Sequence, residues 1–292
     1  MTRSPVADVE TFRQPHFIEV GDARICYRTA GEGPALVLLH GFPLSGMTWR
    51  KVVPALAQRF TCYALDLVGL GNSTSNAAID YTSPGQALVL QQGLRALGVS
   101  CYALLGNDTG GWIARELALL DAAAVTRLVL MNTEIPGHRP PWIRLYQRLS
   151  QLPGSGIVLR GMLASRRVRR SAMGFGGCFE NLNLIDGEFT DLFIAPLVTH
   201  AQRLTSTVRF LVSMQFARLD RFAELHRQLR MPVAFVWGAA DPTFPDANGR
   251  AMATQFPSVV AFRSIPRGKL LVHEEQPDRV AESVIEVLTA GA

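Results

Sequence analysis

The chain has 292 residues, 48% of them hydrophobic, which is enough for one large core or for a core with an inserted module. Its net charge of +5 comes almost wholly from arginine, and we interpret the densest basic cluster, residues 166–170, as a solvated helix face rather than a site for nucleic acid or a membrane surface. No apolar stretch reaches the roughly 18 residues of a membrane helix. Residues 1–15 lack the apolar core of a signal peptide, so we expect a cytoplasmic protein.

Eight strand-like runs follow one another along the chain, with helical patterns between most of them. They cover residues 17–20, 24–28, 35–39, 62–66, 102–105, 127–132, 233–237 and 259–265. This alternation predicts an α/β fold with a mainly parallel eight-stranded sheet and helices on both faces. No helix separates the first two runs, which predicts an antiparallel hairpin with Gly21-Asp22 as its turn.

The fifth run leads into Gly106-Asn107-Asp108-Thr109-Gly110, which is followed at once by a helical pattern. Small residues on both sides of a sharp strand-to-helix turn are typical of a nucleophile elbow, here with Asp108 at its tip. A carboxylate in that position attacks a saturated, electrophilic carbon and becomes an ester, which water must then hydrolyse. Carbon–halogen bonds and epoxides suit this chemistry.

The alternation stops after Asn132 and resumes at Met231. The residues between read as helices and loops, beginning with a proline-rich stretch. We therefore predict three segments: a core part over residues 1–135, an inserted helical cap over 136–229, and a second core part over 230–292. A cap would exclude water and shape the choice of substrate.

Four landmarks together resemble the α/β-hydrolase fold family. They are His40-Gly41-Phe42-Pro43, the turn at residues 66–73, the elbow at Asp108, and Gly238-Ala239-Ala240-Asp241-Pro242. Within that family, the aspartate at the elbow resembles the group of haloalkane dehalogenases, fluoroacetate dehalogenases and epoxide hydrolases. The likeness covers nearly the whole chain, and it does not name a substrate.

The resemblance assigns roles to several residues. The main-chain N–H groups of Phe42 and Thr109 would form the oxyanion hole. Asp241 would be the acid of the catalytic machinery, and Glu134 is an alternative acid because it follows the strand at 127–132. Geometry must decide between these two carboxylates.

The histidine of the family does not stand at its usual place. Counting from Pro266, that place holds Leu270, and the nearest histidine is His273. A general base must come within roughly 3.2 Å of its proton or reach it through one water. His273 is therefore a provisional base that requires a different path of this loop.

Substrate clues point in several directions. The positions at which haloalkane dehalogenases hold the halide carry Thr109 and Phe42, and no arginine follows the nucleophile as in fluoroacetate dehalogenases. The cap offers one tyrosine, Tyr146, where epoxide hydrolases use two. Trp112, Trp142 and Tyr146 are the substrate-binding candidates.

These observations predict a hydrolase of a small, mostly apolar electrophile, either an alkyl halide or an epoxide. We expect a small-molecule substrate, no metal, no organic cofactor and no nucleic-acid partner, and the oligomeric state stays open. The alternative, which rests on Leu270, is a protein that binds a ligand or stops at the ester because no base is present.

Overall fold

The computed structural model describes residues 11–76 and 79–290, in which nine strands form one mixed sheet. The strands are β1 (His16–Val20), β2 (Ala23–Ala30), β3 (Ala35–Leu39), β4 (Thr61–Leu65), β5 (Thr74–Ser75), β6 (Tyr102–Asn107), β7 (Val125–Met131), β8 (Val233–Gly238) and β9 (Val259–Ile265). Their order is β1-β2-β4-β3-β6-β7-β8-β9, and β5 pairs with β2. Strands β4, β3, β6, β7, β8 and β9 run parallel to their neighbours in that series.

The predicted α/β sheet is confirmed, with one strand more than the eight expected. The additional strand is β5, in which Thr74 and Ser75 pair with β2. Two polar residues carry no periodic pattern, so this strand could not be predicted from the sequence. The predicted hairpin is present: β1 and β2 are antiparallel, and Val20 lies opposite Ala23 across the turn.

Thirteen α-helices have both of their ends within the described residues, and residues 11–13 are also helical. They are α1 (Val53–Leu56), α2 (Ser83–Ala96), α3 (Thr109–Leu120), α4 (Pro141–Ser150), α5 (Ser155–Ala164), α6 (Arg166–Arg169), α7 (Ala195–Thr199), α8 (Ala201–Ser213), α9 (Phe216–Asp220), α10 (Phe222–Leu225), α11 (Asp246–Ala253), α12 (Val272–Glu275) and α13 (Pro277–Thr289). Short 3-10 helices cover Gly46–Lys51, Leu182–Ile185 and His226–Gln228, and a π-helix covers Thr190–Ile194.

Alternate side chains of each central strand enter two different cores. In β3, Val37 and Leu39 join the core that contains residues of α2 and α3, whereas Leu36 and Leu38 join the core that contains residues of α1 and α13. This follows from the two-residue period of a strand, which sends successive side chains to opposite faces. The sheet is therefore covered by helices on both faces, which accounts for its nearly continuous apolar strands.

The carboxyl ends of the parallel strands meet at one edge of the sheet. Leu39 of β3 lies opposite Gly106 of β6, and Asn107 lies opposite Met131 of β7. The same edge continues through β8 and β9, where Gly238 lies opposite Ile265. In open parallel sheets, ligands bind in the crevice outside this edge.

The chain between β7 and β8, which we call the inserted helical segment (residues 132–232), is described throughout and contains helices but no strand. Among the residues that the structure describes, no helix is both long enough and apolar enough to cross a membrane.

Candidate active site

The turn between β6 and α3 holds Asp108 in a backbone conformation that residues other than glycine rarely adopt. Its φ is 51° and its ψ is −133°. The backbone around it is crowded: a Cβ at Gly110 would lie 2.3 Å from the main-chain oxygen of Leu39. A glycine is required there because any side chain would drive the elbow away from β3. Such conformations persist where the surrounding structure enforces them, commonly at functional sites.

The loop after β3 holds one carboxylate oxygen of Asp108. The main-chain N–H of Phe42 donates to Oδ2 of Asp108 over 2.9 Å. The main-chain N–H groups of Phe42 and Thr109 both favour the ionised carboxylate and so act to lower its pKa. The structure thus brings together the two amides that the sequence assigned to the oxyanion hole.

His40 fixes this loop rather than facing the cavity. It is fully buried, its Nδ1 lies 2.9 Å from the main-chain oxygen of Gly41, and its Nε2 accepts the main-chain N–H of Leu67 over 3.0 Å. Burial lowers the pKa of the His40 imidazole, so the ring stays neutral and keeps this pair of contacts.

Asp241 lies in the loop after β8 and is almost fully buried. Its Oδ1 accepts the main-chain N–H of Thr243 over 2.8 Å, and its Oδ2 accepts the amide of Asn132 over 2.8 Å. Burial raises the pKa of Asp241 to about 7, against these hydrogen bonds, and within residues 11–76 and 79–290 no histidine is bonded to it. Its charge in turn helps to raise the pKa of Asp108.

Glu134 lies in the loop after β7 and also lines the cavity. The Thr109 hydroxyl donates to its Oε1 over 2.9 Å, and the Thr133 hydroxyl lies 3.0 Å from its Oε2. Burial raises the pKa of Glu134. Burial and then the nearby Glu134 carboxylate raise the pKa of Asp108 well above its ordinary range. Two carboxyl groups this close cannot both ionise freely.

Leu270 lies in the cavity, beside the elbow. Its main-chain oxygen accepts the side-chain amide of Asn107, the residue before Asp108, over 3.1 Å. Its side chain lines the same cavity as Asp108 and Glu134. An apolar side chain therefore occupies the place where the resemblance expects the base.

The structure does not bring His273 to Asp108. His273 is the second residue of α12. It is fully buried and is not among the cavity-lining residues. Its Nε2 lies 2.7 Å from the Thr48 hydroxyl, and its ring stacks on Trp49 with 4.8 Å between centroids. Burial lowers its pKa to about 4. The structure therefore does not support the predicted role of His273 as base, because the short helix directs the ring into the core.

The cavity has a volume of about 370 Å³ and a mostly apolar lining. Trp142 and Tyr146 of the inserted helical segment are among the lining residues, as are Phe42 and Thr109. The Tyr146 hydroxyl donates to the main-chain oxygen of Met173. Cavities of this size accept small organic ligands and orient them with a few polar groups.

Trp112, the third substrate-binding candidate, does not line the cavity. Its side chain is 1% exposed and packs with Leu219 and Phe222, and its ring stacks on Phe216. It lies one turn beyond Asp108 on α3, where helical geometry turns it toward α9 and α10. Its position does not support the prediction that Trp112 contacts the substrate.

The site residues predicted from the sequence did not include Thr133 and Asn107. Thr133 contacts both the elbow and Glu134, and Asn107 holds the loop that carries Leu270. Their positions at the ends of β7 and β6 were the available signal. Among the residues that the structure describes, no group of three His, Cys, Asp or Glu side chains is arranged to hold a metal ion.

Comparison with known proteins supports this picture of the fold. Haloalkane dehalogenase 2 of Mycobacterium tuberculosis is 26% identical over 269 residues, which cover 90% of this chain and 91% of that protein. The soluble epoxide hydrolase of a Corynebacterium species is 38% identical over 122 residues, which cover 42% of each chain. These relatives are consistent with an enzyme of the hydrolase class.

Solved structures show the same architecture. An epoxide hydrolase without ligand superposes with a TM-score of 0.78 at 23% identity and covers 94% of this chain and 98% of its own. A putative ancestral haloalkane dehalogenase superposes with a TM-score of 0.76 at 22% identity and covers 94% of this chain and 100% of its own. The sequence pattern of the α/β hydrolase fold matches residues 34–277. The chain therefore belongs to the α/β-hydrolase fold family.

Proposed function

We propose that the protein hydrolyses a small apolar electrophile, an epoxide or an alkyl halide, through a covalent ester on Asp108. The observation that carries this proposal is the hydrogen bond from Phe42 N–H to Oδ2 of Asp108. It fixes one carboxylate oxygen in the oxyanion hole and leaves the other as the nucleophile. After attack, the fixed oxygen becomes the ester carbonyl oxygen, already placed against the donors that stabilise the charge of the next step.

The surroundings of Asp108 favour attack on an apolar substrate. The lining is mostly apolar, and the inserted helical segment supplies Trp142 and Tyr146 to it. We expect that segment to act as a cap that excludes bulk water, since a desolvated carboxylate is a stronger nucleophile toward carbon. The haloalkane dehalogenase and epoxide hydrolase relatives support the two substrate classes.

A second candidate function is covalent capture of the electrophile without turnover. It is favoured by Leu270, which occupies the cavity where a base is expected, and by His273, which lies outside it. One histidine, His138, is among the described lining residues, and its Nε2 lies 2.8 Å from the main-chain oxygen of Thr243. Without a positioned base, ester hydrolysis loses a factor of roughly 10² to 10⁴.

The experiment is intact-protein mass spectrometry after incubation with bromoalkanes and aryl epoxides, with product analysis in parallel. A transient adduct accompanied by alcohol or diol supports the hydrolase, and a persistent adduct without product supports capture. The Asp108→Asn variant is the control, and an adduct that survives this substitution would contradict both.

A further inference from the structure

We propose that the outer face of helices α4 and α5, in the inserted helical segment, docks on an anionic lipid surface. This outer face consists of exposed aliphatic side chains and exposed arginines, namely Leu145, Leu149, Leu152, Ile157 and Val158 with Arg148 and Arg160. The contact is peripheral, without a membrane span, and it does not involve the basic cluster at residues 166–170. It goes beyond the proposed function of Asp108 and does not depend on it.

Helix α5 is apolar on nearly all sides, yet none of its residues is buried. Its only polar side chains are Ser155 and Arg160, and Ile157 is 80% exposed. A helix that is apolar all round is normally buried, whereas a surface helix carries polar and charged residues on its outer side. The composition of α5 is therefore typical of a helix whose outer side is covered.

The cavity accounts for only one side of each helix. Tyr146 of α4 and Met162 of α5 are among the residues that line it. Leu145 and Leu149 of α4 are exposed and do not line the cavity, and their spacing of four residues places them on one side of the helix. Ile157 of α5 is likewise exposed and outside the lining. Both helices thus turn one apolar side to the cavity and a second apolar side away from it.

A compact turn joins these two exposed sides. The Ser155 hydroxyl donates to the main-chain oxygen of Ser150 over 3.0 Å, and the main-chain N–H of Ser155 donates to the oxygen of Leu152 over 3.1 Å. Leu152 is thereby held, exposed, between α4 and α5. Of the twelve large apolar side chains that are exposed in the described part of the chain, five lie within residues 145–158. A concentration of this kind marks an interaction surface.

The charge of this stretch selects the partner. Residues 135–179 contain eight arginines and no aspartate or glutamate. Three of these arginines form salt bridges with Asp186 and Asp220, which lie outside the stretch. Arg148 and Arg160 form no salt bridge with another described residue and are exposed beside the aliphatic side chains. Arginines next to exposed leucine, isoleucine and valine are the pattern by which helices bind in the plane of an anionic membrane.

A second copy of the chain fits the outer face less well than lipid does. A twofold dimer places the same patch of both subunits in contact. The arginines of one copy would then face those of the other, and residues 135–179 offer no carboxylate to compensate them. An acidic protein would supply the negative charge without the apolar layer that the aliphatic side chains require. An anionic lipid surface supplies both.

Docking of the outer face would bring the mouth of the cavity close to the lipid. Met173 is 54% exposed and also lines the cavity, and its main-chain oxygen accepts the Tyr146 hydroxyl of α4. The cavity therefore reaches the surface beside α4. An apolar electrophile dissolved in the lipid could enter there without crossing water, a consequence that, unlike the docking itself, rests on the proposed function of Asp108.

The test is flotation of the purified protein with vesicles in the absence of any electrophile. We expect binding to vesicles of equal parts phosphatidylglycerol and phosphatidylcholine, weaker binding as salt is raised, and none to phosphatidylcholine alone. The double variant Leu152→Gln, Ile157→Gln should bind roughly tenfold or more weakly. Its matched control is Leu88→Gln, Leu120→Gln, because these leucines are also exposed but lie on α2 and α3.

The charged part of the outer face is tested separately. Arg148→Gln, Arg160→Gln should weaken binding to the anionic vesicles roughly 20-fold, since each arginine near such a surface contributes about fivefold. The matched control is Arg59→Gln, Arg279→Gln, because both of these arginines are exposed and neither forms a salt bridge with another described residue. Thermal denaturation of all four variants checks that they fold.

Three outcomes would overturn the proposal. The first is an absence of flotation with both vesicles, or equal weakening by the outer-face and control variants. The second is a wild-type dimer in lipid-free sedimentation that becomes a monomer in Leu152→Gln, Ile157→Gln, which would assign the face to a second copy. The third is retention on immobilised polyglutamate without flotation, which would assign it to an acidic protein. Failure of Asp108 to form an ester would change none of these readings.

Discussion

The main-chain N–H of Phe42 donates to Oδ2 of Asp108 over 2.9 Å, and a Cβ at the preceding Gly41 would lie 2.6 Å from that same oxygen. The loop after β3 therefore approaches the carboxylate as closely as a backbone without a side chain can. In the proposed mechanism, this contact both orients Asp108 and supplies one donor of the oxyanion hole. It also makes Gly41 a sensitive position for the reaction.

Gly41→Ala should slow hydrolysis of the Asp108 ester roughly 10²- to 10³-fold, the cost of losing one donor of an oxyanion hole. The added methyl group must displace either Asp108 or the Phe42 amide. The decay of the adduct after removal of the electrophile, followed by mass spectrometry, measures the effect. Gly156→Ala is the matched control, because a Cβ there meets nothing within 4 Å. Equal rates in the two variants would show that the approach of this loop is irrelevant to the chemistry.

Asp108→Asn should abolish the adduct and at the same time raise the free energy of unfolding. The pKa of Asp108 is raised by burial and by the Glu134 carboxylate, so its ionised form destabilises the native state. A carboxyl group with a raised native pKa binds more protons when folded, and stability is lost as pH rises through that pKa. We therefore expect Asp108→Asn to be more stable than the wild type at pH 8. Chemical denaturation of both proteins measures it, and a loss of stability at pH 8 would contradict the assignment.

Leu270→His should shorten the lifetime of the ester formed from a bromoalkane. The new imidazole would stand in the cavity that contains Asp108 and Glu134, and it would provide a base at the position that Leu270 now occupies. We expect hydrolysis to be faster by roughly 10²-fold. The decay of the adduct after removal of the bromoalkane gives the rate. Leu270→Met preserves the side-chain volume and should leave the decay unchanged, and an equal effect of both substitutions would contradict the account.

His273→Gln should leave the rate of ester hydrolysis within about twofold, in contrast to the loss of roughly 10² to 10⁴ expected for a base. The effect should appear instead in stability. Burial lowers the pKa of His273 from its ordinary 6.5 to about 4. Between pH 4 and pH 6.5 this histidine therefore binds a proton in the unfolded state but not in the native state. Stability therefore falls as pH drops from 6.5 to 4.

At pH 5 this one histidine accounts for a loss of about 2 kcal/mol relative to pH 7.5. Denaturation of the wild type and of His273→Gln at the two pH values isolates its share. We expect a smaller difference in the variant. An unchanged pH dependence would show that His273 does not titrate as its burial requires.

The fold and the sharp turn at Asp108 could be predicted from the sequence because they depend on local patterns. The glycines around Asp108 indicate a sharp turn. The alternation of strands and helices predicts a parallel sheet, with the loops that follow its strands at the carboxyl edge. Phe42 was identified for the same reason, since its loop follows a strand that pairs with the strand before Asp108.

The remaining assignments depended on the direction in which a side chain points. His273 lies three residues from the expected position of the base, and Trp112 lies four residues after Asp108. The helices α12 and α3 nevertheless turn both rings into the core. No periodicity in the sequence fixes the rotation of a four-residue helix such as α12. The contacts of Thr133 with Asp108 and Glu134 also cross between loops and leave no pattern along the chain.

The most direct test of the central claim, ester formation on Asp108, is turnover of an aryl epoxide in water enriched in ¹⁸O, followed by mass spectrometry of the peptide that contains Asp108. The two-step route predicts ¹⁸O in the Asp108 carboxyl group, because water attacks the ester carbonyl carbon. Label found in the diol during a single turnover, with Asp108 unlabelled, would mean that water attacks the substrate directly and would contradict the account.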